Sequence, residues 1–169
     1  MKAKTAKSLL KNPSEFSLII RIAAFLLLLP FMIRFLRIQT LVERITPGRT
    51  RSLEKSLTME RVIYLCERLL RLARKVGISF SCLRRSIVLY HFLRAYGVPV
   101  VINFGAKWAG DALTGHSWLT LDGAVYLDTP GKVEQFVPFF SLPPDGNGTT
   151  VTSAGVEARS SHFENVTFD

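Results

Sequence analysis

Cysteine is scarce in this chain of 169 residues, which has only Cys66 and Cys82. Two thiols so separated exclude a disulfide framework and a structural zinc site, and they suit a reducing compartment, the cytoplasm. Acidic residues are scarce over the first two thirds. Residues 1–110 hold 5 Asp/Glu against 20 Lys/Arg, a balance of +15. Residues 111–169 reverse it, with 8 against 2. The basic character is therefore an N-terminal property, suited to an acidic partner, an anionic membrane surface or nucleic acid. Nucleic acid is disfavoured, because no recognition motif is present and the arginines are spread through amphipathic helices. No internal repeat is present. With 48% apolar residues the chain is not disordered, and its length suits one modest core.

A long uncharged apolar run is also missing. Residues 16–37 are strongly apolar, yet Arg21 and Arg34 bracket only 12 uncharged residues, Pro30 among them. A spanning helix needs roughly 20 apolar residues. No small-residue cleavage site follows, which argues against a signal peptide. The expectation is a helix lying on protein or on a membrane surface, kinked at Pro30. Thr46-Pro47-Gly48 ends this region.

What the chain does contain is helical and strand periodicity in order. Val62, Leu65, Cys66, Leu69, Leu72, Ala73 and Val76 form an apolar stripe, and Gly77 stops that helix. Cys66 is expected to be a buried, inert filler. A second helix begins near Cys82, capped by Ser79 or Ser81 and ended by Gly97. A β-branched strand follows over 98–104, then a polar, Gly-containing connection from Gly105 to Gly115. Two alternating strands, 116–121 and 124–128, are joined at Asp122-Gly123. Phe136, Val137, Phe139 and Phe140 are available to pack back, and residues 143–169 read as a loose tail. The domain reading is an N-terminal helical region (1–58), a core (59–142) and a flexible tail (143–169).

Cys82, His116 and Asp128 carry the chemistry. The positive end of a helix and a nearby imidazole both favour a thiolate, and first-turn N–H groups can hold an oxyanion. His116 and Asp128 must share a face of their hairpin. A two-residue Asp122-Gly123 turn would put Asp128 opposite Ser117, on the wrong face. A three-residue Leu121-Asp122-Gly123 loop, with Gly123 left-handed, would pair Thr120 with Ala124, Trp118 with Tyr126 and His116 with Asp128. The three-residue loop is expected.

Ser81-Cys82-Leu83 on a helix, Gly97-Val98-Pro99 at a strand entry, His116-Ser117-Trp118 and the trailing Val125-Tyr126-Leu127-Asp128-Thr129-Pro130 resemble the transglutaminase-like fold. In detail the match, over about residues 60–142, is most similar to the leader peptidase (B protein) of lasso-peptide biosynthesis. The resemblance implies an α+β, papain-like cysteine protease core: a Cys-bearing helix packed on a small antiparallel sheet, preceded by amphipathic N-terminal helices. It implies Cys82 as nucleophile, His116 as base and Asp128 as the group orienting His116, with no cofactor and no metal. Implied partners are a leader–core precursor peptide, a separate leader-binding recognition protein and a macrolactam-forming cyclase. The expected location is cytoplasmic, with membrane association through residues 16–37 as a further option. No Gln or Asn stands just before Cys82 to serve as a side-chain oxyanion donor, which leaves the Cys82 N–H. A non-catalytic membrane-peripheral scaffold, and an acyltransferase using the same triad, remain alternatives.

Overall fold

The computed structural model describes residues 13–48, 57–75, 77, 81–110, 112–143 and 167–168. Two compact units divide the chain. The first comprises Met1–Ser79 and His91–Val98, the second Phe80–Tyr90 and Pro99–Asp169.

The first unit is helical. Helix α1 spans Pro13–Phe35, α2 Ile38–Ile45 and α3 Met59–Lys75. Leu18, Ile22, Leu26 and Leu29 recur at three- and four-residue spacing, and all are buried. Each such burial contributes roughly 1.5–3 kcal/mol. Glu15, in the first turn of α1, is buried but not alone: Arg61 of α3 donates to it twice, Nε at 2.8 Å and Nη2 at 3.0 Å. This forked pair ties α1 to α3. Thr58 caps α3 by accepting from the Arg61 N–H. The α3 stripe buries Val62, Leu65, Cys66 and Leu70. Leu72, expected inside, is exposed, because Leu70 takes the inward position instead. Val76 and Ser79 lie outside the described residues. His91 stacks on Phe25 at 4.6 Å and donates through Nδ1 to the Ile45 carbonyl, so this histidine is a packing group.

By length and composition α1 is the one helix among the described residues able to cross a membrane. It passes through Pro30 as a single helix of 23 residues. Arg21 lies within the helix.

The second unit is the first part of α4 (Cys82–Ala95) with a sheet of order β3-β2-β1-β4. The strands are β1 (Val101–Ala109), β2 (Ala112–Leu121), β3 (Ala124–Tyr126) and β4 (Val137–Leu142), all antiparallel to their neighbours. A short helix, α5 (Pro130–Val133), precedes β4. Thr167–Phe168 forms β5, parallel to β2 at Thr114 and Gly115. Of the expected tail, Pro143 and this pair are described.

Two expectations are corrected here. Gly105–Gly115 is not a loose connection: β1 and β2 form one long hairpin that turns at left-handed Gly110, with Gly105 paired to His116. The second concerns the turn between β2 and β3. It has two residues, with Leu121 facing Ala124, Thr120 facing Val125 and Leu119 facing Tyr126. Asp122 and Gly123 both have positive φ, 51° and 79°, as a two-residue hairpin turn requires.

Alternation gives the sheet two faces. On one, Ile102, Phe104 and Leu119 are buried. On the other, Trp118 packs with Val133 and Phe136. Gly105 leaves room for the Trp118 ring. A Cβ there would come within 2.7 Å of Trp118 Cη2 and 2.9 Å of the Val137 carbonyl. On this face Ser141 donates to Asn103, and Asn103 to Thr120, which joins β4, β1 and β2.

Candidate active site

Strand β3 ends at Tyr126, so β2 has no β3 partner for Ser117. The start of α4 meets that stretch of backbone. Ser86 Oγ donates to the Ser117 carbonyl at 2.8 Å, and one turn earlier Cys82 Sγ lies 4.0 Å from the Gly115 carbonyl. Cys82 is the first residue of α4; the Arg85 N–H bonds to Ser81, which fixes the helix start. The thiol therefore sits against the residues on either side of His116.

His116 and Asp128 meet. Nε2–H donates to Asp128 Oδ2 at 3.1 Å. They do so despite the two-residue turn, which on an unbroken strand would send Asp128 the other way. Leu127 is the reason. Its φ is +59°, left-handed, so the chain turns just after β3 ends and Asp128 is re-aimed. Arg85 of α4 donates to the Leu127 carbonyl at 2.7 Å and holds the bend. The Thr129 N–H donates to Asp128 Oδ1 at 2.8 Å, so both carboxylate oxygens are engaged.

The His116 ring is buried, with Phe136 at 5.0 Å and Trp118 at 6.1 Å between centroids. Burial pushes its pKa below the ordinary value; the Asp128 hydrogen bond and charge oppose this, while the Lys132 and Arg85 charges add to it. The Cys82 thiol is pushed up by burial. The Ser117 N–H and hydroxyl, the Leu83 N–H and the Lys132 charge pull it down, without overcoming burial. Both directions point to one resting state, with the thiol protonated and the imidazole neutral. Because the Nε2 proton is held in the bond to Asp128, the lone pair of the neutral ring is left on Nδ1.

Ser117 was not foreseen. Its hydroxyl is buried with no nitrogen or oxygen partner among the described residues, and it adjoins the thiol. Strand alternation hides it, since it points away from the His116 face. Arg85 and Lys132 gave no signal either, both being cations in a basic chain. Cys66 is fully buried, and burial pushes its pKa far above the ordinary range. Among the described residues no three His, Cys, Asp or Glu side chains are grouped to hold a metal ion.

A helix that begins on cysteine, docked on an antiparallel sheet whose histidine is bonded to an aspartate, defines an α+β fold of the thiol–imidazole–carboxylate class. The transglutaminase-like superfamily model matches residues 25–141, well over half of the chain, and the protein belongs to that superfamily. That superfamily generally includes cysteine peptidases and acyltransferases. The match begins inside the N-terminal region, at Phe25, so the second half of α1 lies within it. No significant match was found among curated proteins or solved structures.

Proposed function

We propose that the protein is a cysteine peptidase that removes the leader from a ribosomally made precursor peptide, as in lasso-peptide maturation. One observation carries the chemistry: His116 is bonded to Asp128, and the Cys82 thiol lies against the backbone on either side of that histidine. Superfamily membership supports it, and the sequence resemblance supplies the substrate class.

In this reading His116 Nδ1 takes the thiol proton as Sγ attacks the carbonyl carbon of the leader's last residue. The oxyanion that forms is met by first-turn N–H groups of α4. The C–N bond breaks as His116 returns the proton to the leaving amine, which frees the core peptide's N-terminus. Water then attacks the thioester, His116 accepts its proton, and the restored thiol releases the leader acid. Asp128 holds the tautomer and stabilises the imidazolium. The released amine suits a separate macrolactam-forming cyclase, and a separate leader-binding protein would present the peptide.

The test incubates the protein with a synthetic leader–core peptide and the leader-binding partner, with mass spectrometry as the readout. Cleavage that Cys82→Ala abolishes is the expected result. Cleavage that persists in that variant overturns the mechanism. Transfer of the leader to an added amine in preference to water would assign an acyltransferase using the same residues. The burial that keeps Cys82 protonated favours the non-catalytic scaffold, so alkylation is a second test. Cys82 should be labelled well ahead of Cys66, and the margin should shrink in His116→Ala.

A further inference from the structure

Helix α1 is apolar all round, yet only one side of it is covered. Its buried residues, Leu18, Ile22, Leu26 and Leu29, occupy one stripe. On the opposite side Phe16, Ile20, Leu27, Leu28, Phe31 and Phe35 are 49–80% exposed. At 3.6 residues per turn these six fall within an arc of roughly 120°, facing away from the buried stripe. Such a continuous exposed patch marks an interaction surface.

We propose that this face of α1 docks on an anionic lipid surface, with the helix lying in the interface plane. Three observations select that occupant. Arg21 and Arg34 project at the two edges of the exposed arc, both outside the buried stripe. There their stems lie along apolar groups while the guanidinium heads reach phosphates. Lys2, Lys4, Lys7 and Lys11 precede the helix in sequence, and residues 1–110 carry the +15 balance. This charge is complementary to an acidic headgroup layer and repels a second copy of the same face. Finally, the inner stripe is packed on protein, and Glu15 is forked to Arg61 of α3. A span would have to strip that stripe and leave a carboxylate without its partner, so the helix lies on the bilayer rather than across it. The inference is independent of the peptidase reading.

The experiment sediments the full chain with vesicles of mixed phosphatidylglycerol and phosphatidylcholine, and with phosphatidylcholine alone. Binding to the mixed vesicles, weakened by salt and at least about tenfold stronger than to the neutral ones, is expected. Phe31→Glu should lower partitioning about tenfold or more with an unchanged circular-dichroism melt. Arg34→Gln, which leaves the apolar face intact, should lower it only for the anionic vesicles. Three results overturn the proposal: no sedimentation with anionic vesicles, resistance to alkaline carbonate extraction as of a spanning helix, or a stable dimer in solution that Phe31→Glu dissolves.

Discussion

The Arg85 guanidinium is bonded to the Leu127 carbonyl at 2.7 Å. This joins the helix that begins with Cys82 to the bend that aims Asp128. Arg85→Met keeps the stem but removes the donors. Leu127 is then free to relax, and Asp128 loses its aim. Cleavage should fall about tenfold in kcat with little change in KM, and stability by about 1.5–3 kcal/mol, the usual worth of a hydrogen bond to a charged group. The Arg85 charge also depresses the His116 pKa, so its loss should move the acid limb of the rate profile to higher pH. An unchanged limb would show that Arg85 acts through packing alone.

Leu127 sits at φ +59°, a conformation costing roughly 1–2 kcal/mol for a residue with a Cβ. Leu127→Gly should therefore melt no lower than the parent. Leu127→Ile, β-branched, should destabilise by about 1–2 kcal/mol and cut activity by re-aiming Asp128. Thermal melts and peptide cleavage, run on the pair, read the two effects separately.

Gly105 lies under the Trp118 ring. Gly105→Ala would bring a methyl within 2.7 Å of that ring, and the carbonyl of Val137 prevents retreat. A loss of about 1–3 kcal/mol is expected. In Gly105→Ala/Trp118→Ala the two costs should fall short of additive, since the second change removes the clash. Additive costs from chemical denaturation would show that the contact is relieved in some other way.

The His116 pKa lies below 6.5, so its base form persists below that pH. The acid limb of kcat/KM should accordingly sit under pH 6.5. In Asp128→Asn the carboxylate that raises this pKa is gone, so the limb moves lower still. The rate falls by roughly 10²-fold or more as the tautomer is lost. Stability follows the same sign. A histidine whose folded pKa is depressed contributes fully above 6.5, and its contribution is lost as pH falls through the folded value. The raised Cys82 thiol works in reverse, contributing below its ordinary pKa of 9.0 and losing that contribution as pH rises beyond it. Melting temperature against pH, in parent and His116→Ala, checks the acid side.

Much of this architecture was legible because periodicity reports burial. The helix starting at Cys82, the strand carrying His116 and the hairpin after it all announced themselves. Asp122-Gly123 was even the standard sign of a two-residue turn. It was set aside because a flat, regular hairpin could bring His116 to Asp128 only with three residues in the loop. The fold reaches the same meeting by a kink, and a left-handed leucine has no sequence signature. The long β1–β2 hairpin was hidden by Gly105, Gly110 and Gly115. These look like a loop, yet Gly105 is required by an aromatic ring from the neighbouring strand. Such cross-strand demands are absent from any local window of sequence. The pairing of β5 with β2 was equally silent, since two residues carry no period.

The kink at Leu127 makes the hairpin a matter of metre more than of wording. Its outer positions, Asp122 to Val125, can exchange one polar or β-forming residue for another without moving the acid. Adding or dropping a single residue anywhere between the imidazole and the carboxylate has a harsher effect. It reverses the parity of everything downstream, so the acid would turn its back on the ring it now grips.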